Sequence, residues 1–464
     1  MKQKKYAYLV GIKGVAMAAL AVYLSESGMR VTGSDVADEF PTDEELKKIQ
    51  ATIYTGFDAD RIRTLKPDVV YYTGAHGGRD NPEVQAAAAC NIPVFPHGQA
   101  LGERMKGSRQ IVVAGSHGKT TTSAMIATLM REAKLDPSYA IGCGSISSRY
   151  PAGHKGASTW FVAEGDEYVT DPHHDLTPRF LWTTPEIMVV TNIDFDHPDV
   201  YAGLSAVQDA FRALQKQATV TVLNADDANS RVLQTGTNII TYGYSPASDF
   251  RITHVGSGDE RTFFRLEERG VPVGEFVLKV PGAHNVSNAT AALVAAHTAG
   301  VDWKTLHEGL LQFTGTKRRF EKLGQSAGVT YYDDYAHHPA EIRATLAGAR
   351  TWYPHQRIIA VFQPHTYSRT SALLPEFARA FQDADMVVLT DIYASAREHD
   401  TLGLDGMTLV SSMRACHRDV RYGKDYTEIH AILSAETHPG DVVICMGAGD
   451  IYTWGKRLLH DSVA

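Results

Sequence analysis

The sequence predicts an α/β protein of three domains, and three observations predict it. Its 464 residues exceed what one hydrophobic core ordinarily organises. A composition of 44% hydrophobic and 21% charged residues marks a folded, globular chain. Short apolar β runs that break at glycine and pass into helical periodicity occur near the amino end and again near residue 115. The domains are expected at 1–105, 106–322 and 323–464.

The first domain opens with an apolar run over residues 6–10, stopped by Gly11-Ile12-Lys13-Gly14. Val15, Met17, Ala18, Leu20, Ala21 and Leu24 then give a helix an apolar surface, which Gly28 ends. A strand over 29–32 leads to Gly33-Ser34-Asp35, and further strands are expected over 68–73 and 92–95. Strand, glycine turn, helix, strand and terminal acid form a unit that can hold a nucleotide, so this domain reads as Rossmann-like. The spacing G-x-x-G-x-x-M is not the G-x-G-x-x-G of dinucleotide binders.

A β run over 109–114 feeds Gly115-Ser116-His117-Gly118-Lys119-Thr120-Thr121-Thr122 and then a helix. Glycines let backbone N–H groups approach phosphate oxygens, and the helix amino end favours negative charge. Lys119 is placed at the β- and γ-phosphates, with the Thr120 hydroxyl directed to magnesium. Val113 stands where the longer form of this loop has another glycine, so the loop is a short variant. Strands over 160–163 and 187–191 continue a P-loop ATPase-like domain with a mostly parallel sheet. A third, Rossmann-like α/β unit opens at 329–332, with strands at 357–362, 386–389 and 441–446.

Charge excludes some partners. Lys plus Arg total 45 against 53 Asp plus Glu, a net charge of −8 that offers no broad footprint for nucleic acid or an anionic membrane. No secretion signal or membrane-length apolar run is visible, so a cytoplasmic protein without membrane insertion is expected. The four cysteines, Cys90, Cys143, Cys416 and Cys445, form no C-x-x-C pair and read as thiols of a reducing compartment.

The phosphate loop resembles the G-T-H-G-K-T-T-T loop of the Mur ligases. The resemblance extends in order through Glu164-Gly165-Asp166-Glu167, Thr191-Asn192-Ile193-Asp194, Asp196-His197-Pro198-Asp199 and His284-Asn285-Val286-Ser287-Asn288-Ala289. It continues with Arg318-Arg319-Phe320 and Asp333-Asp334-Tyr335-Ala336-His337-His338-Pro339. It implies an ATP-dependent ligase with two magnesium ions, working through an acyl phosphate. Gly115, Ser116, His117, Gly118, Lys119, Thr120 and Thr121 would hold ATP, together with Asn288 at the adenine, Arg319 at the phosphates and Asp334 near the ribose. Thr120, Glu164 and His197 would bind the metal. A plain reading of Asn285 is a helix cap.

The amino end and the segment Phe362-Gln363-Pro364-His365-Thr366-Tyr367-Ser368-Arg369-Thr370 look like the branch that joins L-alanine to UDP-N-acetylmuramate. By that resemblance Gly11, Gly14, Ser34, Asp35 and Thr73 bind the UDP-substrate, and Tyr335, His337 and Arg369 surround the amino acid. Lys119, His337 and Arg369 would be catalytic, in a monomer or homodimer of peptidoglycan synthesis. Three positions depart from the pattern: Gly165 for alanine, Tyr168 for serine and Thr366 for arginine. The acidic segment and Thr73-Gly74-Ala75 lean toward the related ligase that recycles the L-alanyl-γ-D-glutamyl-meso-diaminopimelate tripeptide, the alternative reading.

Overall fold

A computed structural model describes residues 4–147, 149–197, 199–236, 238–394 and 400–461. The chain forms two compact units. Met1–Val255, Phe263–Leu278 and Val286–Thr314 make the first; Gly256–Thr262, Lys279–Asn285 and Gly315–Ala464 make the second.

The first unit contains two sheets that position the candidate site. Strands β1 (Tyr6–Val10), β2 (Arg30–Asp35), β3 (Thr52–Thr55), β4 (Val69–Tyr72) and β5 (Val94–Pro96) lie in the spatial order β3-β2-β1-β4-β5. All four pairings are parallel. The order turns back between β1 and β4, so a crevice opens at the carboxyl ends of those strands. β1 and β4 are buried throughout, as apolar runs covered on both faces must be. β2 runs three residues past the expected 32, because Gly33, Ser34 and Asp35 pair with Ile53, Tyr54 and Thr55.

The larger sheet continues with β6 (Arg109–Ala114), β7 (Ser138–Ile146), β8 (Tyr150–His154) and β9 (Trp160–Gly165). A small antiparallel pair, β10 (Val169–Asp171) and β11 (Asp175–Pro178), lies apart from it. The sheet resumes with β12 (Ile187–Val190), β13 (Val220–Asn224), β14 (Ile239–Gly243), β15 (Phe250–Gly258), β16 (Arg261–Glu268) and β17 (Val271–Leu278). Its order is β17-β16-β15-β14-β13-β12-β6-β9-β7-β8, with β6 at the centre between parallel β9 and β12. The half-exposed strands from 250 to 278, two of them broken by glycine, carry no continuous apolar signal, and the sequence reading did not anticipate them.

The Val15–Glu26 helix docks on the β7–β8 hairpin. Contact is so close that a Cβ on Gly153 would stand 1.9 Å from the Ala19 carbonyl oxygen. His154 completes the joint, with Nδ1 2.7 Å from Glu26 and Nε2 2.9 Å from Asp136. Both carboxylates raise the imidazole above its ordinary value against its partial burial.

The second unit is a six-stranded sheet of β18 (Glu321–Ser326), β19 (Val329–Asp334), β20 (Ile358–Phe362), β21 (Met386–Leu389), β22 (Val420–Tyr422) and β23 (Val442–Met446), in the order β18-β19-β23-β20-β21-β22. Edge strand β18 is antiparallel and the other pairings are parallel. One core on each face buries β20 completely. Asn285 is not a cap: the helix already begins at Ala283, and the Asn285 amide donates to the Pro281 carbonyl at 2.7 Å. Among the described residues, no helix is long and apolar enough to cross a membrane.

Candidate active site

The phosphate loop lies between β6 and the Lys119–Glu132 helix, at the carboxyl edge of the central sheet. Gly118 takes φ +81°, and a side chain there would meet the Asn288 amide oxygen at 2.5 Å. Asn288 is thus packed against the loop, 7% exposed. The Thr191-Asn192-Ile193-Asp194 stretch braces the loop from the β12 side. His117 N–H donates to the Asn192 side chain at 2.9 Å, and the His117 carbonyl accepts from Thr191 Oγ1 at 2.6 Å and from Asn192 Nδ2 at 3.0 Å. Ser116 Oγ accepts from the Asp194 N–H at 2.7 Å.

Lys119 is nearly enclosed. Its Nζ donates to the Gly115 carbonyl at 2.6 Å and to Glu167 Oε2 at 2.9 Å. Burial alone would lower the ammonium; Glu167, Asp166 and Glu164 outweigh burial and hold it above its usual value, fully charged. Thr120 Oγ1 donates to Glu164 Oε1 at 2.8 Å, and Glu164 Oε2 accepts from the Gly142 N–H at 2.8 Å. A hydroxyl and a carboxylate oxygen converging beside a phosphate loop form a donor set suited to a hard divalent cation. Glu167, Asp196 and His197 each offer an atom within 4.8 Å of the others, a second group able to hold an ion.

The turn after β1 is built by mutual support. Gly11 has φ +78°, and a Cβ there would lie 2.4 Å from the Thr73 methyl. Ser34 lends its backbone carbonyl to Gly11 N–H at 2.9 Å, while its hydroxyl donates inward to Glu83. Asp35 is buried, accepting from Lys13 N–H at 2.7 Å and Val36 N–H at 2.8 Å. Ser34 and Asp35 therefore brace the turn, and their side chains are occupied. Gly14 begins the helix and Thr73 closes β4, both on the crevice.

On the second unit, Arg319 lies 5.3 Å from the Tyr335 ring and 3.8 Å from Glu341. Asp334 is turned inward: Oδ2 accepts from Phe320 N–H at 2.7 Å, and Oδ1 from Ala336 N–H at 2.8 Å and Thr345 Oγ1 at 3.2 Å. It shapes the loop, with both oxygens engaged by neighbouring groups. His337 Nδ1 is 3.0 Å from the Tyr335 carbonyl, which leaves Nε2 as the lone-pair nitrogen. Burial lowers this imidazole, with the Arg369 charge acting in the same direction and Glu341 opposing. Rings of Tyr335 and His365 stand 5.0 and 6.1 Å from His337, and Tyr393 stacks on His365 at 5.8 Å. Thr366 has φ +68°, unusual for a β-branched residue, and its hydroxyl caps the turn that carries Arg369.

Three family descriptions match in succession: "Mur ligase family, catalytic domain" over 7–109, "Mur ligase middle domain" over 113–296, and "Mur ligase, glutamate ligase domain" over 318–449. A UDP-N-acetylmuramate–L-alanine ligase of Desulfitobacterium hafniense (strain Y51) is 39% identical, spanning 97% of this chain and 99% of the relative. The chain belongs to the Mur ligase family. The solved UDP-N-acetylmuramate-alanine ligase MurC of Thermotoga maritima superposes with a TM-score of 0.84 at 27% identity, covering 99% of both chains. A murein peptide ligase of Psychrobacter arcticus 273-4 gives 0.72 at 23% identity, with the same coverage, and shares the fold.

Within this Mur ligase, the sequence reading missed Glu167, Glu341, His365 and Tyr393 as neighbours of the candidate residues. Glu341 had a local signal, since it closes a capping box with His338. Glu167 stands in the acidic segment Glu164-Gly165-Asp166-Glu167, but only folding brings it to Lys119. The Gly165 departure has a steric reason: a methyl there would meet Val112 Cγ1 at 2.7 Å.

Proposed function

We infer that this protein is an ATP-dependent ligase that joins the carboxylate of UDP-N-acetylmuramate to the amino group of L-alanine in peptidoglycan precursor synthesis. The observation that carries the reading is the enclosed phosphate loop. Lys119 is held charged and Thr120 is set on Glu164, in a chain whose full-length relative is an alanine-adding ligase. In the reaction, the lactyl carboxylate attacks the γ-phosphorus of ATP and ADP leaves. The alanine amine then attacks the acyl phosphate, and phosphate leaves as the amide forms.

Phosphoryl transfer needs positioning and neutralisation of charge more than a protein nucleophile. Lys119 is proposed at the β- and γ-phosphates, with Asn288 at the adenine side of the loop and Arg319 as a second fixed charge. Thr120 and Glu164 would hold one magnesium ion, and His197 with Glu167 and Asp196 a second. Bound magnesium supplies charge neutralisation on the phosphates. Imidazole is an uncommon magnesium ligand, so the two carboxylates carry most of that second site. On the second unit, His337 Nε2 is the proposed acceptor for the amine proton, beside Tyr335 and Arg369.

The deciding experiment follows phosphate release from ATP with Mg²⁺ and UDP-N-acetylmuramate, adding either L-alanine or the L-alanyl-γ-D-glutamyl-meso-diaminopimelate tripeptide. Release that depends on L-alanine, with the amide product seen by mass spectrometry, is expected. Release only with the tripeptide would move the chain to the recycling activity.

A further inference from the structure

Two adjacent arginines, Arg318 and Arg319, stand in the turn that precedes β18, and the proposed chemistry uses the second alone. Arg319 is partly exposed, whereas Arg318 is buried. Their turn opens the segment Gly315–Ala464 of the second unit, and Arg319 N–H closes it by donating to the Thr316 carbonyl at 3.1 Å. On either side of Arg319 the backbone is left-handed, with φ +62° at Arg318 and +48° at Phe320. Residues with side chains keep that form only where their surroundings hold them in it.

Arg318 supplies much of that hold. Its Nη2 donates to the Gly447 carbonyl at 2.6 Å, and its Nε donates to Asp333 Oδ2 at 3.3 Å. The guanidinium also lies over the rings of Tyr335 and Tyr452, 5.0 and 4.7 Å from their centres. Its backbone is tied as well: the N–H donates to Glu321 Oε2 at 2.9 Å, and the carbonyl accepts from Tyr335 N–H at 2.7 Å. A buried guanidinium with a carbonyl, a carboxylate and two ring faces around it is a fixed point. Arg318 pins the turn to β19 and to the end of β23.

The residue that gains is Arg319. Its guanidinium lies 5.3 Å from the same Tyr335 ring, and a forked donor reads phosphate only when it arrives at the right angle. On a loose turn the side chain would sample many positions, and binding would have to order it. We propose that Arg318 is a positioning residue for Arg319: by anchoring the left-handed turn, it presents the Arg319 guanidinium in the orientation that meets the ATP phosphates. The inference rests on the ligase reading, in which Arg319 is the second fixed charge.

A double-mutant cycle on the full chain tests this, with Arg318→Met and Arg319→Met made singly and together. Phosphate release is followed with UDP-N-acetylmuramate and saturating L-alanine while ATP is varied. Arg318→Met is expected to lower kcat/KM for ATP by about 10-fold or more, the scale of a misplaced catalytic group, and to leave KM for UDP-N-acetylmuramate in place. In the Arg319→Met background the same change should cost less than about 2-fold, because the group it positions is gone. Arg318→Lys, which keeps the charge without the fork, should recover part of the loss, and it carries the cycle where Arg318→Met does not fold. An equal loss in both backgrounds, or no loss in Arg318→Met, overturns the positioning role while leaving the ligase reading intact. A wild type that turns over no ATP with these substrates overturns the ligase reading, and the same cycle read in Mg-ATP affinity by titration calorimetry then decides the positioning role.

Discussion

Lys119 and Glu167 form a nearly enclosed ion pair, with Nζ 2.9 Å from Oε2 and 3.2 Å from Oε1. Glu167 also lies 3.8 Å from His197, and its backbone carbonyl accepts from Tyr201 Oη at 2.6 Å. One carboxylate thereby fixes the loop lysine and faces His197, the proposed ligand of the second metal ion. Glu167→Gln is expected to lower kcat by roughly 10²-fold and to raise the Mg²⁺ concentration for half-maximal rate. Lys119→Ala should cost more, and leave the Mg²⁺ requirement nearer to that of the wild type. A Glu167→Gln enzyme with unaltered Mg²⁺ dependence would remove this carboxylate from the metal site.

His337 carries a pH signature. Because its burial and Arg369 lower the imidazole, Nε2 stays unprotonated at pH values where an ordinary histidine has begun to charge. The acid limb of kcat/KM should therefore fall below about 6.5, the unperturbed histidine value. His337→Ala should reduce kcat about 10²-fold or more at saturating L-alanine and abolish that limb. Near-normal turnover in the variant would refute a proton-accepting role.

Asp333 gives the second unit a stability that depends on pH. Burial raises its carboxyl to about 7, with Glu321 and Asp334 adding and Arg318 opposing. Its folded value is higher than the unfolded one, so the folded state binds the extra proton. Stability from this group is full below about 4 and is lost as pH rises toward neutrality. Chemical denaturation of the wild type at stepped pH should show that decline, and Asp333→Asn should flatten it. An identical slope in the variant would assign the pH dependence elsewhere.

Gly153 locks the first sheet to the second through Ala19. Gly153→Ala should cost roughly 1–3 kcal/mol, because the new methyl meets backbone that cannot rotate away. Thermal unfolding would register the loss as a lower Tm. A Tm equal to the wild type would mean the helix backs off the hairpin without cost.

Much of the architecture was legible because it is written in local order. Apolar runs that stop at glycine marked β1 and β6, and the alternation of strands with helices marked the parallel sheets. Several strands escaped, β3, β7, β13 and β14 among them; β15 to β17 did so because their burial alternates with exposure, and glycine interrupts β15 and β17. At the site, the loop motif located Lys119 and Thr120 directly. It could not tell that Asp334 and Asp35 spend their carboxylates on backbone N–H groups, since a motif records residue type and not where an oxygen is satisfied.

The sequence by itself determined the family, the strand–loop–helix that meets phosphate, and the residue types able to carry charge and metal. These depend on neighbours along the chain and on backbone freedom at particular glycines. Tertiary structure alone decided which carboxylate faces Lys119, that Ser34 turns inward to Glu83, and that Arg318 turns inward to the Gly447 carbonyl. Those outcomes rest on contacts between segments tens of residues apart, where burial and the need to pair every polar atom select one arrangement among many.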